Sequence, residues 1–223
     1  IKKGLPKEKA HLVPPVIDSS LYRRLHGFSA EKNSFTVTYI GNISFDRFPQ
    51  NVVAEIEKMV DVDPNLELAI YAPDSTWNRR FAIKLRESLS ECRIKYRIFV
   101  SNLNENEKIQ IYNTSDALIF PFDKSNGIEV VDPPLTILEA MACARVVIAS
   151  RIMSIPEIIE NGKNGFLVDS GDHKGLVDVL QYVIDHYQEL EYVRSNARRT
   201  IQKHFSPDIV RRQIINVYES VLS

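Results

Sequence analysis

Two cysteines in 223 residues, Cys92 and Cys143, are too few for a disulfide framework. They read instead as thiols of a reduced, intracellular and hence cytoplasmic protein, and both fall in stretches that read as helix. No apolar run approaches the ~18–20 residues that cross a bilayer, and no secretory leader is recognisable. Charge of one sign is not in excess: 28 basic residues face 29 acidic ones, for a net charge of −1. That balance gives no footing for nucleic acid as a partner. There is no Gly-x-Gly-x-x-Gly, no P-loop and no nucleophile elbow, which argues against dinucleotide-dependent and P-loop chemistry. No His, Cys and Asp group has metal-ligand spacing. The five histidines are scattered, and His11 and His173, at segment edges, read as structural or solvated. Asp61-Val62-Asp63 pairs two acids, but it closes a helix before the turn Pro64-Asn65 rather than ending a strand, so it is rejected as a metal site. Neither a metal nor a cofactor is expected. Met is also missing at position 1, where Ile1 stands, and the chain reads as a piece of a longer protein.

What is there is an ordinary globular composition, 44% hydrophobic and 26% charged, enough to bury one sizeable core. Lys2 to Ala10 is basic and at best helical. His11 to Ile17 is held extended by Pro14-Pro15, and Asp18 to Asn33 reads as a polar stretch packed loosely on the rest. A regular alternation follows. Strands are expected at 35–40, 66–71, 96–100, 117–120, 146–149 and 166–168, all short and rich in apolar or β-branched residues. Helices are expected from Pro49 to about Val60, Arg79 to Glu91, Asn104 to Asn113, through Leu135 to Cys143, from Pro156 to Gly162, and at roughly 173–187, 189–204 and 208–221. Asn104 with Glu107 three residues on reads as a capping box. Strands alternating with helices imply an α/β fold, a single Rossmann-like domain whose six-stranded parallel sheet carries helices on both faces. Ligands of such sheets bind beyond the carboxyl ends of the strands, which selects the loops after Ile40, Tyr71, Val100, Phe120 and Ala149.

One stretch on that edge stands out, from Val131 through Cys143. Proline suits the start of a helix, where its missing N–H costs nothing, and Asp132 suits the positive end of the helix dipole. From Leu135 on, nearly every side chain is apolar, so the helix reads as buried all round. Glu139 is the exception, and a buried carboxylate must be paired or hydrogen-bonded. It is either a ligand contact or a structural carboxylate capping a neighbouring backbone. The helix N-terminus is a natural anion site. The Thr136 hydroxyl either reaches a phosphate or bonds within the first turn. In the first loop, Gly41 allows a tight turn, and Arg47 offers a planar charged clamp for a diphosphate, unless it is solvated or paired with Asp46. Arg79-Arg80 and Arg211-Arg212 read as solvated helix faces; a peripheral membrane contact is the alternative for them.

Leu135-Thr-Ile-Leu-Glu-Ala-Met-Ala-Cys-Ala-Arg-Val-Val-Ile-Ala149 resembles the signature of the retaining group 1 glycosyltransferases (family 4-like) with the GT-B fold, and so does Ile155-Pro-Glu-Ile-Ile-Glu-Asn-Gly-Lys-Asn-Gly-Phe-Leu-Val168. The order of elements from Val37 to Val183 matches the C-terminal, nucleotide-sugar-binding domain of that family. The segment from His11 to Asp18 resembles its link from the first domain, and the last helix resembles the one that crosses back. The resemblance therefore implies a donor domain over 1–223, with an interdomain linker region at 1–33 and an N-terminal acceptor domain absent from the sequence. It implies transfer of a sugar from a nucleotide diphosphate sugar to an acceptor glycan or lipid-linked sugar held by that other domain. It assigns ribose hydroxyls to Glu139, the diphosphate leaving group and catalysis to Arg47, and phosphate to the backbone at Leu135 and Thr136. Gly41, Asn42, Asp132 and Pro134 complete the expected donor-binding set. Departures from the pattern are Val131, where a sugar-contacting glutamate is usual, with Glu129 and Asp132 as substitutes; Asn42 for arginine; and Pro134, Ala144 and Met153-Ser154 for glycines. Competing readings are a sugar-nucleotide epimerase and a non-catalytic sugar-nucleotide-binding subunit.

Overall fold

A computed structural model of the chain describes residues 11–25, 34–61, 63–124 and 134–222. Six strands form one parallel sheet: β1 (Phe35–Ile40), β2 (Leu66–Ala72), β3 (Lys95–Val100), β4 (Ala117–Phe120), β5 (Val146–Ser150) and β6 (Phe166–Val168). Their order across the sheet is β3-β2-β1-β4-β5-β6. The helices among the described residues are α1 (Gln50–Glu57), α2 (Thr76–Leu89), α3 (Glu105–Thr114), α4 (Leu135–Ala142), α5 (Ile155–Ile158), α6 (His173–Asp185), α7 (Glu191–His204) and α8 (Pro207–Leu222). A 3-10 turn (Lys58–Asp61) extends α1. None of these helices is long and apolar enough to cross a membrane.

Burial follows strand position. Every residue of β4 and β5 is buried, because both faces of a central parallel strand are covered by helices. At the β3 edge only Ile98 is buried. Helix α1 packs with α2 and α6, while α4 packs with α7 and is bonded to α3 through Tyr112 and Glu139. Strand order reverses at β1, whose neighbours are β2 and β4. A crevice opens at the carboxyl ends of the strands at such a reversal. The loops that leave β1 and β4 are tied together there by the Asp123 N–H donating to the Asp46 carbonyl at 2.7 Å.

Several local readings change. Helix α2 begins three residues before Arg79, because Ser75 accepts from the Asn78 N–H and caps it. Cys92 lies beyond the end of α2, and Cys143 is the residue that caps α4. Helix α5 stops at Ile158, four residues short of Gly162. Residues 17–25 are not loosely packed. Ile17 and Tyr22 are buried, and the Ile17 N–H donates to Phe205 O at 2.8 Å. The Arg198 guanidinium holds the carbonyls of Ser19 and Tyr22, and the Asn113 side chain bonds Arg23 and Leu25. Isolated polar side chains in the sequence gave no sign of these distant carbonyls. The expected helical character of 2–10 lies outside the described residues.

Candidate functional site

The crevice at the sheet reversal holds a cavity of about 390 Å³. Gly41, Asn42 and Arg47 line it from the loop after β1, and Pro134, Leu135 and Thr136 from the start of α4. Of the eight positions expected to bind donor, these six lie on one cavity wall or another. Asp132 lies outside the described residues, as do Val131 and Glu129.

The first loop is built around buried partners. Gly41 has φ +150 and its N–H donates to Tyr71 O at 2.9 Å; a Cβ there would come within 3.3 Å of the Tyr39 hydroxyl. That hydroxyl donates to the Asn42 carbonyl at 2.5 Å. Burial pushes the Tyr39 phenol above its ordinary range, opposed by the positive charge of Arg47, so the phenol stays a donor. Ser44 then folds the loop back, accepting from the Arg47 N–H on both its side chain and its carbonyl at 3.2 Å. The turn is pinned to α2. Asn78 Oδ1 accepts from the Ile43 N–H at 3.0 Å, and its Nδ2 donates to Asn42 Oδ1 at 3.0 Å and Pro73 O at 2.7 Å. Trp77 donates its indole N–H to Ile43 O at 3.1 Å. Sequence reasoning passed over Asn78; its only trace is the Ser75 cap three residues earlier.

Helix α4 differs from its expected form at its first turn. Pro134 is the capping residue, with extended backbone at ψ 119, and the first helical residue is Leu135. Leu135 is 45% exposed and Thr136 half-buried, so the helix is buried all round only from Ile137 onward. The Ile137 N–H donates to Pro134 O at 3.1 Å, whereas Leu135 and Thr136, whose N–H groups have no partner within the helix, line the cavity. The far end is closed by a Schellman arrangement: Arg145 N–H to Ala140 O at 3.1 Å and Ala144 N–H to Met141 O at 3.0 Å, with Ala144 at φ 54.

Glu139 is 5% exposed and is not among the residues lining the cavity. Lys108, which does line it, stands between, its Nζ 3.4 Å from Glu139 Oε1. Tyr112 donates to Glu139 Oε2 at 2.5 Å. Burial first, and then the Glu139 carboxylate, push the Tyr112 phenol well above its ordinary value, which keeps it protonated and donating. The buried charge is thus met by one phenol and one ammonium, as a carboxylate in a core requires. Lys108 and Tyr112 were both missed. Their signal was the i, i+4 spacing on one face of a capped helix.

The other walls come from Tyr71 near the end of β2 and from the loops after β2 and β3, through Pro73, Ser101, Asn102 and Leu103. The strand-end rule chose those loops without choosing residues. Asp61 is engaged elsewhere, with Arg93 at 2.5 Å, and among the described residues no cluster of three or more His, Cys, Asp or Glu is placed to hold a metal.

A doubly wound parallel sheet with a cavity at its strand reversal and a helix N-terminus in the wall defines the Rossmann-like α/β class of domain. Within that class, residues 34–186 match the model of the family Glycosyl transferases group 1, and the chain belongs to that family. It is 21% identical over 219 residues to the capsular polysaccharide biosynthesis glycosyltransferase CapM of Staphylococcus aureus, an alignment covering 98% of this chain and 53% of CapM. The chain thus spans about half the length of the curated relatives that match nearly all of it. Anabaena HepE, solved with UDP and glucose, superposes with a TM-score of 0.78 at 18% identity over 93% of this chain and 56% of HepE. The C-terminal domain of the group 1 family protein LpcC from Francisella tularensis superposes with a TM-score of 0.69 at 18% identity, over 86% of this chain and 99% of LpcC's.

Proposed function

We propose that this chain is the C-terminal, donor-binding domain of a retaining glycosyltransferase. In the whole enzyme the sugar of a nucleoside diphosphate sugar moves to an acceptor hydroxyl. The bond from the anomeric carbon to the diphosphate oxygen breaks, and one from that carbon to the acceptor oxygen forms on the same face. The acceptor, a glycan or a lipid-linked sugar, is held by an N-terminal domain outside this sequence. The observation that carries this reading is the convergence of Arg47 and the α4 N-terminus on one cavity, with Glu139 one turn deeper. Near-complete coverage of an isolated C-terminal domain, and the UDP bound in the HepE structure, support it.

Each group then has a task. Charge develops on the diphosphate as the sugar leaves, and preorganised donors aimed at that charge lower the barrier. Arg47 supplies a fixed positive charge from one wall. The backbone N–H groups of Leu135 and Thr136 supply donors and a dipole end from the other. No metal is assigned a part in this scheme. Gly41 and Asn42 let the loop approach the ligand closely. Glu139 accepts from the ribose hydroxyls after Lys108 yields its place or shares it.

Calorimetric titration of UDP, GDP and ADP into the 223-residue chain tests the reading, with Glu139→Ala as control. One of the three is expected to bind in the micromolar range, and the control to lose about tenfold or more, since a hydrogen bond to a charged group contributes about 1.5–3 kcal/mol. If none binds more tightly than millimolar, the donor-domain reading fails.

A further inference from the structure

The carboxylate of Glu139 belongs to a closed ring of side chains that reaches outside the cavity. Tyr112 bonds Oε2 at 2.5 Å, and Lys108 approaches Oε1 at 3.4 Å. Lys108 also lies 3.8 Å from Glu105, and Glu105 accepts from the Tyr22 hydroxyl at 2.9 Å. Tyr22 closes the ring by standing edge-on to Tyr112, with ring centroids 6.2 Å apart and planes at 62°. Both tyrosines are buried. Burial and the Glu139 and Glu105 carboxylates push the Tyr22 phenol up, so it too remains a donor. Tyr22 is not on the Rossmann-like core. It belongs to the segment before β1, which Arg198, Asn113 and Phe205 fasten to the domain.

We propose that Tyr112 and Tyr22 are positioning residues for Glu139, which makes the segment before β1 a working part of the nucleotide site; this rests on the reading of Glu139 as the ribose contact. A glutamate has three rotatable bonds, and its carboxylate meets a ligand well only if its rotamer is fixed beforehand. Tyr112 fixes it by binding the oxygen away from Lys108, leaving Oε1 for the cavity side. Tyr22 fixes Tyr112 in turn, by its ring edge and by its own bond to Glu105. The segment before β1 therefore sets the geometry with which the site meets a ribose.

The test is calorimetric, on the 223-residue chain, with UDP, its 2′-deoxy analogue and inorganic pyrophosphate as probes and with GDP and ADP in parallel. Tyr112→Phe keeps the ring and removes only the hydroxyl. It is expected to weaken UDP binding about tenfold, to shrink the preference for UDP over the 2′-deoxy form, and to leave pyrophosphate binding unchanged. Tyr22→Ala should shift the same preference in the same direction, and Tyr22→Phe, which keeps the ring edge, should shift it less. In a Glu139→Gln background, Tyr112→Phe should add little, because the two act through one contact. Melting temperatures identify any variant that fails to fold, and Tyr112→Phe and Tyr22→Phe carry the test in that case. If Tyr112→Phe matches the parent, weakens pyrophosphate as much as UDP, or adds fully to Glu139→Gln, the positioning role is overturned while nucleotide binding stands. If the parent chain binds none of the nucleoside diphosphates, the donor reading falls and this proposal falls with it.

Discussion

Asn78 accepts from the Ile43 N–H at 3.0 Å across 35 positions of chain, at a side chain only 1% exposed. With Asn42 and Pro73 as its other partners, it ties the loop carrying Arg47 to the first turn of α2. Removing it leaves buried backbone groups without partners, at about 1–3 kcal/mol each. Asn78→Ala is expected to lower unfolding stability by about 2–3 kcal/mol and to weaken pyrophosphate binding, as the Arg47 loop loses its anchor. Urea unfolding and calorimetry check both.

Arg47→Ala is expected to weaken UDP and pyrophosphate binding by about tenfold to a hundredfold, the scale of charge-assisted hydrogen bonds. Uridine binding should hardly change. Equal loss of uridine would place Arg47 in the structure of the loop rather than on the diphosphate.

Ala144 occupies the left-handed C′ position of α4 at φ 54, and Met153 has φ 49. A left-handed conformation costs a residue with a Cβ about 1–2 kcal/mol, and glycine gives back part of that gain through the greater freedom of the unfolded chain. Ala144→Gly is therefore expected to stabilise by about 0.5–1 kcal/mol and raise the melting temperature by about 1–4 °C. An unchanged or lower melting temperature would mean that the buried methyl contributes more by packing than the backbone loses by strain.

Arg198 caps the C-terminal carbonyl of Ala142 on α4 and holds the carbonyls of Ser19 and Tyr22. Arg198→Met keeps the aliphatic stem and deletes these donors. It is expected to cost about 2–3 kcal/mol and to expose residues 17–25 to limited proteolysis, read by mass spectrometry of the first cleavage products.

Cys143 gives a pH dependence. Burial pushes its thiol up to about 12, against the opposing charges of Arg145 and Arg198. The unfolded thiol ionises near its ordinary value of 9.0, so above that pH the folded state binds the proton that the unfolded state has lost. Its contribution to stability is complete below about pH 9 and falls as pH rises towards 12, by at most about 1.4 kcal/mol per unit. Urea midpoints between pH 7.5 and 10.5 should fall less steeply for Cys143→Ala than for the parent. Iodoacetamide at pH 8 should label the half-buried Cys92 before the buried Cys143.

The elements themselves were legible. Six strand positions agree with the structure to within a residue, because each is a short apolar run closed by Gly, Pro or a polar turn. The capping box at Asn104 and Glu107 is present as read, since its signal lies within four consecutive residues. The ends of α2 and α5 were misplaced where helix geometry depends on a cap or a fold-back rather than on periodicity.

For the site, the residue types and the sheet edge were readable, whereas the contacts were not. Gly41, Arg47 and the α4 N-terminus carry recognisable chemistry, and the parallel alternation puts their loops on one edge. A lone buried Glu139 announces that it needs a partner, but nothing in its own stretch names Tyr112, Lys108 or, further off, Tyr22.

By itself, then, the sequence determined the doubly wound sheet, the sheet edge on which the cavity opens, and the helix beginning at Leu135 as part of that cavity's wall. Those follow from hydrophobic periodicity and backbone geometry, which act over a few residues. Only the tertiary structure decided that Asn78 holds the Arg47 loop, that Lys108 stands between Glu139 and the cavity, and that the segment around Tyr22 is packed into the site's support. These are hydrogen bonds and ring contacts between residues distant in the chain. The partner of a buried polar group is fixed by which elements the fold brings face to face, and local sequence does not encode that.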